Sequence, residues 1–364
     1  MTFELSKQRA KVTIADVARE SGVSAATVSL ALRNKAGLRE ETRQRVLDAA
    51  QQLGYRYQAS NQAATRQEVD QIGVLVKTRN NDSAATNSFY GPILAGIEEI
   101  CRRRQIHLVY ANLLVDESNA PIDPPRLLTD RRTDGLLVVG MQINQSFCTL
   151  LQQDSSPVVL VDAYAEGNPF DAVVSDNIAG AYAATHHLIA QGHRHIAIFG
   201  SQRHAFPSIA ERREGYTKAI CEAELTPCFW DCPLWPDAAA KMAPTYLADH
   251  PEISAVFACN DAVAMVLFRA AQEQKREIPT DLSIIGFDNI ELAQHTHPPL
   301  STMRVDKTGM GRLAAQLLLN RIEYPAAAPV HALIHPQLIR RQSVAVCKAQ
   351  GFPNLTLEPQ QTSG

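Results

Sequence analysis

No stretch of about 18 apolar residues occurs in this sequence, so no segment is expected to span a membrane. The start, MTFELSKQRAK, lacks the apolar core of a secretory signal, and a cytoplasmic location is the expectation. The seven cysteines (101, 148, 221, 228, 232, 259 and 347) are scattered and odd in number, which argues against a disulfide framework and fits reduced thiols. Cys228 and Cys232 lie close together, but no second pair or nearby histidine completes a zinc set, so no metal is expected. Catalytic signatures are missing too. There is no G-x-S-x-G, no H-E-x-x-H and no phosphate-binding loop. Gly309-x-Gly311 lacks the third glycine and the preceding strand of a dinucleotide site. His186, His187, His193 and His195 cluster in sequence, yet neighbouring helical positions face different ways and Gly192-His193 reads as a helix stop; they are read as structural. Neither enzymatic activity nor a cofactor is expected.

What is present is an ordinary globular composition, 45% hydrophobic and 20% charged, over 364 residues, a length that favours two or three compact units. The net charge of −3 hides an asymmetry. Residues 1–62 hold ten Lys/Arg against six Asp/Glu, and the remainder holds 25 against 32. A basic end on an acidic body points to a local polyanionic partner. In the basic end, Thr13 and Asp16 form a capping-box pattern ahead of Ile14, Val17 and Ala18 at helical spacing. Gly22 can end that helix in the left-handed conformation. Ser24 caps a second helix with Val28, Ala31 and Leu32 on its inner face. A third runs from about Glu40 to Leu53, burying Val46, Leu47, Ala50 and Leu53, and stops at Gly54. Three short helices with a glycine turn between the first two describe a helix-turn-helix.

This segment resembles the LacI family of bacterial regulators. The family pattern T-I-x-D-V-A-x-x-[AS]-G-V-S-x-x-T-V-S is met by Thr13, Ile14, Asp16, Val17, Ala18, Gly22, Val23, Ser24, Thr27, Val28 and Ser29. Glu41-Thr42-Arg43, Arg45-Val46 and Leu53-Gly54-Tyr55 extend it. The resemblance implies that the second helix enters the major groove of an operator. Thr13, Ser24, Thr27 and Ser29 then offer hydroxyls to phosphates, which position without reading sequence. Ala25, Ala26 and Leu30 present apolar surface suited to thymine methyls but cannot make bidentate contacts to guanine or adenine. Arg33 and Asn34 add backbone contacts. The family's hinge leucine, which wedges into the minor groove, falls here on Ala64, too short to act as a wedge, so weaker DNA kinking is expected.

Residues 57–71 are polar and lack apolar periodicity, as a linker would be. From Ile72 onward apolar runs alternate with helical stretches: 72–76, 107–112, 134–140, 157–162, 195–200, 255–261 and 282–289. Such a texture predicts parallel sheets covered on both faces, in two α/β lobes. Ligands in such folds bind beyond the carboxyl ends of strands, where Asp162, Asn260-Asp261 and Asp288-Asn289 close apolar runs. The LacI-family resemblance extends through about residue 346, carried by Gly192-His193-Arg194, Arg212-x-x-Gly215-Tyr216, Gly286-Phe287-Asp288, Pro298-Pro299-Leu300-Ser301-Thr302 and His335-Pro336-x-Leu338-Ile339-x-Arg341. It implies a periplasmic-binding-protein-like body with effector between doubly wound lobes. It places Asp162, Arg212 and Asp261 on effector-contacting positions, with Asn260 and Asp288 beside them and Phe89, Tyr90 and Trp235 as aromatic contacts. Carboxylates, an arginine and aromatic faces suit a sugar or sugar derivative; a nucleobase is the alternative.

The expected organisation is therefore a DNA-binding domain at 1–56, a hinge at 57–71, an effector-binding and dimerisation body at 72–346 and a disordered tail at 347–364. The expected function is a homodimeric repressor on a pseudo-palindromic operator, relieved by its small-molecule effector, with corepression left open. A sugar-uptake protein or a sugar-metabolising enzyme are the competing classes. The first lacks an export signal, and the second lacks a nucleophile–base or metal set.

Overall fold

The computed structural model describes residues 13–32, 38–53, 55, 69–78, 87–116, 121–122, 126–129, 133–153, 156–167 and 169–347. The chain divides into two units, Met1–Arg66 and Gln67–Gly364, and the division falls inside the expected linker. Among the described residues no helix is long and apolar enough to cross a membrane.

The first unit contains α1 (Ile14–Ser21), α2 (Ala25–Leu32) and α3 (Glu40–Gln52). The Asp16 carboxylate accepts from the Thr13 amide at 2.9 Å and from the Thr13 hydroxyl at 2.6 Å, and these bonds hold the Asp16 carboxyl below its usual range. Gly22 ends α1 at φ 68°, where a side chain would strain the backbone, and its amide returns to the Ala18 carbonyl. Ser24 Oγ accepts from the Thr27 amide at 3.1 Å and so caps α2. Val17, Val28, Ala31, Val46, Ala49 and Ala50 form the core of this unit. Leu47, expected inside, is 40% exposed. Val46, Ala49, Ala50 and the partly buried Leu53 share one helical face at spacings of three and four, and position 47 lies about 100° away from its neighbour.

All seven apolar runs of the second unit are strands, arranged in two six-stranded sheets. The first has the order His331–Ile334, Asp171–Ser175, Val158–Val161, Gly135–Val139, Gln71–Thr78, His107–Leu114, every neighbour parallel. The second has the order Gln337–Ile339, Ser301–Arg304, Ser283–Asp288, Ala255–Ala258, Ile196–Ser201, Cys228–Asp231, parallel except at the Gln337–Ile339 edge. The runs are continuous because both faces are covered, yet successive side chains part company. Val74, Leu137 and Val159 join one core, while Leu75, Val138 and Leu160 join another on the opposite face. In the second lobe Ile198, Phe257 and Ile285 separate in the same way from Phe199, Val256 and Ile284.

The backbone passes between lobes three times. It leaves the first sheet at Ser175 and enters helix Asn177–Ala190, which packs on Pro207–Glu222 in the second lobe. It leaves the second sheet at Arg304 and enters helix Lys307–Glu323, which packs back on Tyr90–Arg104 of the first lobe. It crosses again between Ile334 and Gln337. At the return helix, a Cβ on Gly311 would sit 2.1 Å from the Ile93 carbonyl oxygen, and one on Gly96 would sit 2.1 Å from that of Thr308. The Gly309 amide donates to the Asp306 cap at 2.9 Å. The Gly309-x-Gly311 pair thus serves a helix start and a close helix pairing.

Candidate functional site

A cavity of about 300 Å³ opens where the strand ends of the two lobes face each other. The first lobe contributes Lys77 and Thr78 from the end of Gln71–Thr78, Phe89 and Tyr90 from the start of helix Tyr90–Arg104, and Asp162 after Val158–Val161. The second contributes Phe206, Ser208 and Arg212 from the start of helix Pro207–Glu222, together with Trp235, Asn260 and Asp288. Asp162 and Asp288 have left-handed backbones, φ 48° and 102°. Non-glycine residues in that region cost about 1–3 kcal/mol each and persist where the surroundings require them. Here the turns at two strand ends bring carboxylates from opposite lobes to the same cavity.

Arg212 is buried and stacks on the Phe287 ring, 3.8 Å from its centroid. Its Nε donates to Asn177 Oδ1 at 2.9 Å, Nη1 donates to the Cys259 carbonyl, and Nη2 lies 3.3 Å from Asp288 Oδ1. These bonds fix the guanidinium plane and leave a donor on each terminal nitrogen for a ligand. Burial pushes the Asp162 carboxyl up to about 6, against the pull of Lys77 and Arg212. Its Oδ1 is buried without a partner among the described residues. Burial also raises the Asp288 carboxyl, opposed by Arg212 and Lys307. The Lys77 ammonium lies 5.3 Å from the Tyr90 ring centroid and 5.2 Å from that of Phe206.

Seven of the eight expected effector residues, Phe89, Tyr90, Asp162, Arg212, Trp235, Asn260 and Asp288, line this one cavity. Asp261 does not. Its carboxylate accepts from the Thr302 hydroxyl and, at 2.8 Å, from the Ile290 amide, and the residue is fully buried. The expectation that Asp261 contacts effector is corrected to this extent: its carboxylate braces the strand ends, and Asn260, which caps helix Asp261–Glu273 through the Val263 amide, lines the cavity. Lys77 and Phe206 were missed. The rule that ligands lie beyond strand ends, applied to Gln71–Thr78, would have found Lys77; Phe206-Pro207, a helix start preceding Arg212, marks the other. None of His186, His187, His193 or His195 lines the cavity. Burial lowers His193 and His187 below the usual imidazole range, and His193 bridges Ser254 Oγ and the Ala345 carbonyl.

In the first unit, Ala25 and Ala26 are exposed at the start of α2, and Leu30 is 41% exposed one turn on. Thr27 and Ser29 are partly buried. The Ser24 and Thr27 hydroxyls lie 2.9 Å apart and the Thr13 hydroxyl serves Asp16, so three of the four hydroxyls expected to meet phosphates are engaged in helix caps. Arg33, Asn34, Ala64 and the 348–364 stretch of the tail lie outside the described residues.

Two family models match. Residues 13–58 fit "Bacterial regulatory proteins, lacI family", and residues 185–344 fit a periplasmic binding protein-like domain. A protein of Photobacterium profundum named HTH-type transcriptional repressor PurR is 32% identical over 339 residues, 91% of this chain and 98% of its own. A PurR of Vibrio cholerae is 31% identical over 342 residues with the same coverage. Among solved structures, the regulator CelR in complex with cellobiose has a TM-score of 0.66 at 25% identity, over 91% of this chain and 99% of its own. A LacI family regulator from Enterococcus faecium with bound ribose has a TM-score of 0.65 at 27% identity, over 77% of this chain and 100% of its own. The lac repressor dimer on its operator shares the fold, with a TM-score of 0.64 at 21% identity, over 92% of this chain and 99% of its own. With a helix-turn-helix head, two facing α/β lobes and relatives matched almost end to end, this chain belongs to the LacI family of DNA-binding transcriptional repressors.

Proposed function

We propose that the operator affinity of this repressor is set by a neutral, ring-shaped metabolite of the nucleobase class held between its lobes. The observation that carries the reading is the pair of carboxylates, Asp162 and Asp288, brought from opposite lobes to a cavity that also holds the Arg212 guanidinium and the Tyr90, Phe206 and Trp235 rings. A flat heterocycle offers N–H donors to the carboxylates, carbonyl or ring-nitrogen acceptors to Arg212, and two faces to the aromatic side chains. The cavity, about 300 Å³, suits one small ring system. Lys77 and Arg212 are matched in charge by Asp162 and Asp288, so no surplus cation favours a phosphate. The relatives named PurR, aligned over 91% of the chain, add support.

A single sugar ring is the second reading. The ribose-bound regulator favours it, and a carboxylate pair also matches vicinal hydroxyls. Calorimetric titration with adenine, guanine, hypoxanthine, D-ribose, D-glucose and ribose 5-phosphate separates the two. Binding of a base with no response to sugars supports the nucleobase class; binding of sugars alone sinks it and puts the sugar in its place. Operator binding with and without the ligand then gives the sign of the coupling, since a ligand shifts an equilibrium only by its preference for one state. For the DNA side, a cytoplasmic homodimer that reads a pseudo-palindrome through α2 of each copy fits the short helix, because a single one gives little affinity.

A further inference from the structure

Behind the cavity wall lies a polar cluster that the effector reading does not use. Tyr164 belongs to the first lobe, where Tyr164–Ala165 pairs with Gln142–Ile143. Its hydroxyl donates to Glu211 Oε2 of the second lobe's helix Pro207–Glu222 at 3.1 Å, and its ring meets Phe206 edge-on with centroids 5.3 Å apart. Asn177, 1% exposed, stands at the start of the first crossover helix. Its Nδ2 lies 2.9 Å from Glu211 Oε2, 3.1 Å from the Tyr164 hydroxyl and 3.1 Å from the Ser175 carbonyl. The other end of the same amide, Oδ1, accepts from Arg212 Nε.

We propose that Tyr164, Glu211 and Asn177 form a latch between the lobes that positions Arg212 for effector. Three parts of the molecule that move relative to one another when lobes rotate meet at a single carboxylate oxygen: the first lobe through Tyr164, the crossover through Asn177, and the second lobe through Glu211. The Asn177 amide has one orientation that serves both neighbours. Turned over, its nitrogen would face the Arg212 Nε–H and its oxygen would face the Glu211 carboxylate, two clashes of like polarity. Tyr164 and Glu211 therefore fix the amide, the amide fixes the Arg212 plane, and the Arg212 plane fixes the donors offered to the cavity. Separation of the lobes at Tyr164 removes one of the partners that holds this chain of bonds. Glu211 is partly buried, and burial raises its carboxyl above the usual range, so its two donors offset the cost of placing it there. Tyr164, Glu211 and Asn177 are positioning residues; none lines the cavity.

The inference rests on the cleft as the effector site, and its first readout is taken without ligand so that the two can fail separately. In the ligand-free chain, amide exchange at 164–165 and at 209–213 is expected to rise together in Tyr164→Phe and in Glu211→Ala, and to return to the wild-type pattern in Glu211→Gln, which keeps an acceptor oxygen and loses the charge. The double variant Tyr164→Phe/Glu211→Ala is expected to exchange no faster than Glu211→Ala alone. Exchange that rises only beside the changed residue, or Glu211→Gln as open as Glu211→Ala, overturns the latch. Whichever of adenine, hypoxanthine or D-ribose binds the wild type is expected to bind Tyr164→Phe about tenfold more weakly, with Glu211→Gln near wild type. Equal affinity in Tyr164→Phe overturns the positioning of Arg212. If neither these three nor guanine binds the wild type, the nucleobase reading fails and the exchange result still decides the latch.

Discussion

Asp162 ties the cavity to two opposite pH trends. Its carboxyl rises on folding to about 6, so between the ordinary carboxylate range and that value the folded chain holds a proton that the unfolded chain has released. Its contribution to stability therefore falls as pH rises through this window, by on the order of 2–3 kcal/mol. Thermal midpoints from about pH 4 to 8 are expected to decline less in Asp162→Asn than in the wild type. Effector affinity runs the other way: a carboxylate accepts ligand donors best when ionised, so binding is expected to strengthen from about pH 5 to 7.5 and to lose that dependence in Asp162→Asn, as calorimetry at the two pH values will show. Asp261 behaves differently. Removing its carboxylate strands the Thr302 hydroxyl and the Ile290 amide, so Asp261→Ala is expected to lose about 2–4 kcal/mol of stability. A variant that melts like the wild type yet ignores effector would return Asp261 to the contact set. Asn260 and Asp261 also show where sequence reasoning stops. Both are polar and close the same apolar run, and only the entry angle of the helix that Asn260 caps decides which faces the cleft.

At the scale of elements, α2 presents Ala25, Ala26 and Leu30 on its open face while Val28 and Ala31 hold its inner one. Ala26→Gln is expected to leave head stability within about 0.5 kcal/mol, as exposed substitutions do, and to change which operator variants are retained in a binding selection. The same operators in the same order would remove Ala26 from the reading surface. The return helix Lys307–Glu323 has the opposite tolerance. Gly311→Ala would drive a methyl into the Ile93 carbonyl, with backbone on both sides, and is expected to cost about 2–3 kcal/mol in urea unfolding. Helical periodicity and capping residues made all three head helices readable, and seven strands were readable because burial on both faces produces unbroken apolar runs. Ser301–Arg304 ends in an exposed arginine and starts with two hydroxyl residues, and His331–Ile334 alternates exposed and half-buried positions at a sheet edge. Neither has a run to read, and His331–Ile334 pairs with Asp171–Ser175, far away in sequence. The cavity was legible to the extent that its polar residues sit at strand ends. Tyr164 and Glu211 belong to no apolar run and meet only once the lobes are assembled.

For the whole molecule, the three crossings mean that neither lobe is a continuous segment. The first lobe needs helix Lys307–Glu323 and strand His331–Ile334, which follow nearly all of the second lobe in sequence. A chain ended after Arg304 is expected to lose protection from proteolysis across 71–165 while 196–288 stays comparatively resistant, because the second sheet forfeits only its Gln337–Ile339 edge. Equal protection of both segments would show that the first lobe closes without its late pieces. The same topology orders events during synthesis. A ribosome releases the three head helices first, then most of the first lobe, then nearly all of the second lobe, and only near the end the two elements that complete the first lobe. The nascent chain has its reader helices finished by Gln52 and its sensor unfinished until Ile339 has emerged, so a stalled or clipped product carries a DNA-binding head that no metabolite can instruct.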